Sequence, residues 1–138
     1  MVKWTRIIYL VVAWLFPTAI LVQVLFVGLS LFTGQTYWGA HIGFGHTIGF
    51  LPLLQVILGY LARLPRRTII LTWLSFGIYL IQAEVFAAIR ANVPLFAAFH
   101  PVLALLLFAL ALILALQART FVRTPTPAPT SSEQPVTV

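Results

Sequence analysis

The chain has 138 residues, 62% hydrophobic and 7% charged, with a mean hydropathy of +1.06 and a formal net charge of +6. A soluble domain carries roughly 25% charged residues, so this chain lacks the polar surface to cover a water-facing globule. It has no cysteine, which excludes disulfides, thiolate metal sites, attached c-type haem and cysteine nucleophiles; with Glu84 and Glu133 as its only acids, paired-carboxylate chemistry is excluded too.

Lys3 and Arg6 precede the first of four apolar runs, at residues 7–32, 38–62, 68–89 and 95–117. Each run is about 22–26 residues, against the roughly 20 that a helix needs to cross the hydrocarbon core. Backbone groups in lipid must be satisfied within their own segment, so the runs predict helices. A removable signal-peptide core is only about 7–15 residues, so the first run reads as an uncleaved span. Short links make neighbours in sequence antiparallel neighbours in space. The expected fold is therefore all-α: an integral membrane four-helix bundle, up-down-up-down, over residues 1–119. Residues 120–138, rich in Pro, Thr and Ser, read as a disordered cytoplasmic tail.

The basic residues set the direction. Lys3, Arg6, Arg63, Arg66, Arg67, Arg119 and Arg123 all share one side if the spans alternate, and only Arg90 falls opposite. That bias places both termini in the cytoplasm and the chain in the inner (cytoplasmic) membrane. Because the charges flank apolar runs, they suit lipid headgroups rather than nucleic acid. Trp4, Tyr9, Tyr37, Trp38 and Tyr60 lie near span ends, where amphipathic rings settle at the interface.

Polar residues inside spans are costly and therefore informative. His41, His46 and His100 fall in the first turns of spans two and four, which enter from the same side. Gln82 and Glu84 end span three at that side, and Gln23 lies past the middle of span one. The other half of the membrane reads as almost purely apolar apart from Gln55. His41 and His46 are about 140° apart on a helix, so they do not share a face. The spacings Gly39-xxx-Gly43 and Gly45-xxx-Gly49 predict close helix packing or the close approach of a flat cofactor.

These placements leave three functions open. The first is an accessory or structural subunit that packs against other membrane proteins, or against itself, through its glycine faces. The second is a b-type haem protein, with His46 and His100 as the axial pair and His41 as the substitute. In that reading Arg90 meets the propionates, and Gln82 or Glu84 orients an imidazole. The third is a metal-ion or proton site built from His41, His46, His100 and Glu84. No phosphate-binding glycine loop, zinc-protease motif or nucleophile elbow is present, and no catalytic residue can be named.

Residues 3–118 resemble an uncharacterised bacterial family of small four-span membrane proteins. The stretches that carry the resemblance are Trp4-Thr-Arg-Ile-Ile-Tyr-Leu, Trp38-Gly-Ala-His41-Ile-Gly-Phe-Gly-His46 and Ala62-Arg-Leu-Pro-Arg-Arg67, with Gln82 and His100-Pro-Val-Leu-Ala104. The resemblance implies the four-span architecture and no activity. More distantly, topology and histidine placement are similar to the four-helix cores of membrane b-type cytochromes and to one half of haem A synthase. That likeness implies axial roles for His46 and His100.

Overall fold

The computed structural model describes residues 2–89 and 91–123, and the regular structure among them is entirely helical. In chain order the elements are α1 (Val2–Phe32), α2 (Trp38–Ile48), α3 (Phe50–Leu61), α4 (Arg66–Leu80), a π-turn (Ile81–Val85), α5 (Phe86–Ile89), α6 (Pro94–Ala97) and α7 (His100–Arg123). They make four helices long and apolar enough to cross a membrane: Val2–Phe32, Trp38–Leu61, Arg66–Val85 and Pro94–Arg123. The first and last overrun the expected limits. Helix α7 continues to Arg123, past residue 120, and the rest of the expected tail, residues 124–138, lies outside the described residues.

Local chemistry explains where the helices break. After α1, Gly34 takes φ +70°, and Ser30 Oγ accepts the Tyr37 amide at 2.8 Å. Pro52 has no N–H to offer the Ile48 carbonyl, and the second span changes from α2 to α3 at Gly49. Helix α3 closes with the Leu64 amide donating to Gly59 O (3.0 Å) and the Arg63 amide to Tyr60 O (3.0 Å). This is the Schellman pattern, and its left-handed position, usually glycine, is filled by Arg63 at φ 52°. Pro65 then caps α4, which itself loosens into the π-turn from Ile81 onward.

Spans one and two, two and three, three and four, and four and one pack side by side. Spans two and four are therefore one diagonal of the bundle, and spans one and three the other. At one end, Arg6 donates to Ala62 O (3.4 Å) and Phe121 O (3.2 Å), tying the start of α1 to the ends of α3 and α7. This arginine end is closed by Tyr9, Val12, Ala13, Leu58, Ala62, Leu64, Ala115 and Ala118. A second cluster, Phe16, Ala19, Ile20, Ile48, Tyr79, Leu107 and Ala111, fills the middle. Beyond it burial thins, with Phe86 of α5 the buried apolar side chain there. The last buried residue of α1 is Ile20, α2 buries only Ile48, and α7 buries nothing before Leu107.

The arginine-side half is less apolar than the sequence reading held. Gln55, Thr72 and Ser75 are 0% exposed, and Thr68 is 3%. Thr72 donates to Thr68 O (2.8 Å), which leaves Tyr9 as the donor to Thr72 Oγ1 at 3.3 Å; Thr68 donates to Gln117 Oε1 at 3.4 Å. Threonine is tolerated here because its hydroxyl bonds back to its own helix and carries little uncompensated polarity into the core.

Candidate functional site

The end of the bundle opposite Arg6 gathers one polar residue from each span. Helix α1 supplies Gln23, α2 supplies His41, the π-turn supplies Gln82 and α7 supplies His100. The two histidines come from diagonal spans and meet across the bundle, with ring centroids 6.1 Å apart and planes at 66°. Each is braced by an adjacent glutamine. His41 Nδ1 donates to the Gln23 carbonyl at 3.2 Å, which leaves Nε2 with a free lone pair. The His100 ring lies beside the backbone of Gln82. A π-turn misaligns the helical ladder and frees backbone groups for such contacts, which is why these turns recur at functional sites. Trp38 stands edge-on to His41, with centroids 6.0 Å apart.

Both glutamine side chains keep an acceptor in reserve. Gln23 Oε1 and Gln82 Oε1 are buried without a hydrogen-bond partner in the chain. Buried polar atoms are normally paired, and Gln55 and Ser75 nearer the arginine end share this orphaned state.

His46 lies elsewhere. Its Nδ1 donates to Ile42 O of its own helix (2.8 Å), and its Nε2 faces Glu84 Oε1 at 3.7 Å. Both atoms of that contact are acceptors when neutral imidazole meets carboxylate, so its attraction requires a proton on one of them. The side chains are 51% and 56% exposed, on the outer surface of the bundle. The structure thus brings His41 to His100, where the sequence reading paired His46 with His100. The cause is the five-residue spacing, which turns the two imidazoles of α2 to different faces.

The four groups of the expected metal site consequently divide into two pairs. Among the described residues no group of three or more His, Asp or Glu side chains could hold a metal ion. Arg90, expected opposite the propionates, lies outside the described residues. The glycines divide likewise. A Cβ at Gly45 would lie 2.5 Å from Gln23 Nε2, and one at Gly49 would strike the Tyr79 ring, whereas Gly39 and Gly43 face open space. Tyr79 uses that room: its hydroxyl reaches Gly45 O (3.0 Å) and His46 O (3.3 Å). Tyr79 and the π-turn escaped the sequence reading. Of the two, Tyr79 had a legible signal, a tyrosine far from the expected span ends.

The 6.1 Å separation of the His41 and His100 rings is that of an edge-to-face ring contact, and it sets two imidazoles side by side as residues that could hold a metal-centred group. The sparse packing beyond Ile20, Ile48 and Leu107 leaves the imidazoles at the uncrowded end of the bundle.

Residues 23–88 match DUF6220, a family of unknown function, over just under half of the chain. The matched stretch contains His41, His46, the Ala62–Arg67 link and Gln82, and so bears out the resemblance to an uncharacterised family. No curated protein and no solved structure matches the chain.

Proposed function

We propose that this chain is an accessory subunit of a membrane complex, docking to a partner through the face that carries His46 and Glu84. One observation carries the reading: an ionisable pair sits half-exposed on the outside of a membrane-spanning bundle. His46 is eight residues into its span, about 12 Å along the helix from Trp38. At that depth an ionisable side chain ordinarily turns inward or meets a protein neighbour, because lipid offers it no hydrogen bonds. A transmembrane helix of another subunit, or of a second copy of this chain, would cover the pair. The positive-inside bias sets the arginine end and both termini in the cytoplasm of an inner membrane, with spans alternating in direction. The histidine end then occupies the outer half of the bilayer.

The test is photo-crosslinking in native membranes, with a reactive residue placed at position 46 or 84 and a control at Ile113, which is also exposed. Adducts from 46 and 84 but not from 113 support docking at this face. A chain that is solitary in mild detergent and gives no adduct from either position overturns it.

The meeting of His41 and His100 favours a second reading, a b-type haem that these two residues would hold between spans two and four. Bound there, the group would supply one-electron transfer. The Gln23 carbonyl fixes the His41 tautomer, and the Gln82 backbone lies beside the His100 ring. Purified protein should then show a Soret band that is lost in His41→Ala and His100→Ala and kept in His46→Ala. Colourless protein that takes up no added haem rules this reading out.

A further inference from the structure

We infer that the arginine end carries a binding site for the phosphate of an anionic phospholipid, formed between the second and third spans by Arg63, Arg66, Tyr60 and Trp73. The site is an open cavity of about 410 Å³ at the turn between α3 and α4, lined by these residues with Gly59, Leu64, Ile69 and Ile70. Its size suits a headgroup rather than a single ion. Two arginines are among its lining residues. Glu84, the only carboxylate among the described residues, is at the opposite end of the bundle. Among the described residues no carboxylate stands near these two arginines, and a phosphate is the group that guanidinium geometry recognises best.

The walls decide between a lipid and a free anion. Leu64, Ile69 and Ile70 give the cavity an apolar flank, on which the glycerol and first methylenes of a lipid can lie. Trp73 Nε1 donates to Tyr60 OH at 3.0 Å. That bond locks two interfacial rings side by side and leaves the tyrosine proton free to donate to a phosphate or ester oxygen. Basic, aromatic-walled notches between spans are the form that anionic headgroup sites take at a membrane surface.

The backbone adds an independent indication. Arg63 occupies the left-handed position of the α3 cap at φ 52°, where glycine is the residue without a steric penalty. Arg63 is also a lining residue of the cavity, so a long cation stands where the turn itself would favour none. This site depends on the chain lying in a bilayer and on nothing about the histidine end, so it stands or falls separately from the docking and haem readings.

The experiment follows the thermal unfolding midpoint of full-length protein in detergent micelles doped with one lipid at a time. A ligand that binds only the folded state raises that midpoint. Phosphatidylglycerol and cardiolipin are expected to raise it, while phosphatidylcholine and inorganic phosphate leave it unchanged. Arg63→Gln and Arg66→Gln should each abolish the lipid-dependent rise, and Arg67→Gln, one residue from the cavity, should keep it. Arg63→Gly is the most telling variant: its midpoint without lipid should rise, because the turn is relieved, and its response to lipid should vanish. An equal rise with phosphatidylcholine, a rise with phosphate alone, or a full lipid response in Arg63→Gln overturns the site.

Discussion

Gly43 and Gly49 lie in one span six residues apart, and the same added methyl should move stability in opposite directions at the two. At Gly49 a Cβ would strike the Tyr79 ring, and Tyr79 is itself 7% exposed and packed in the central cluster. Forcing extra volume into such a site costs about 1–3 kcal/mol. Displacing the Tyr79 hydroxyl from Gly45 O and His46 O forfeits about 1 kcal/mol more. Against these stands the helix preference of alanine over glycine, about 1 kcal/mol. The expected net loss for Gly49→Ala is therefore about 1–3 kcal/mol. At Gly43 nothing lies within 4 Å of the added carbon. Gly43→Ala should thus gain up to about 1 kcal/mol from helix preference alone. Equilibrium unfolding in mixed micelles, followed by tryptophan fluorescence, compares the two directly. Combining Gly49→Ala with Tyr79→Ala should erase most of the penalty, since the clash partner is gone. If Gly49→Ala proves as stable as Gly43→Ala, Tyr79 does not occupy the space above Gly49 and the packing described for the middle of the bundle is wrong.

Three further outcomes are expected. Thr72→Val leaves the buried Tyr9 hydroxyl without its acceptor and should cost about 1–2 kcal/mol in the same unfolding assay, a penalty that Tyr9→Phe should largely cancel in a double-mutant cycle. Gln55→Leu removes two amide atoms that are buried without partners and should raise stability by about 1–3 kcal/mol; a loss instead would reveal a partner, such as an ordered water, for that amide. Arg119 lies over the Trp14 ring at 4.4 Å from its centroid, so Arg119→Gln should alter Trp14 emission and cost about 0.5–1 kcal/mol, which Trp14→Leu should make non-additive.

Composition and run length alone announced four apolar helices, because a chain with two acids and eight basic residues has little else to build with. The helix limits were less legible. At residues 118–123 the sequence turns polar, yet α7 continues, since Ala118 and Phe121 still pack into the arginine-end cluster. The gathering of polar residues at one end was visible from span direction. Which histidine meets which was not. Helical spacing placed His41 and His46 on different faces, and choosing the inward one required the rotation of α2, which the sequence does not encode locally. That rotation follows from Gly45 and Gly49 sitting under Gln23 and Tyr79. The polar thread from Gln117 to Tyr9 went unseen for a different reason: threonine and serine scarcely disturb hydropathy, so their convergence on one interior line is a three-dimensional fact.

Gly49 separates two mechanically different pieces of a single span. On one side α3 buries Pro52, Gln55, Val56, Leu58 and Gly59; on the other α2 buries Ile48 alone. Amide hydrogens should therefore exchange with solvent on a gradient, fastest in the α2 backbone and slowest in α3. Any strain placed on α2 is therefore taken up above Gly49, where little packing has to yield, before it reaches the anchored turns of α3.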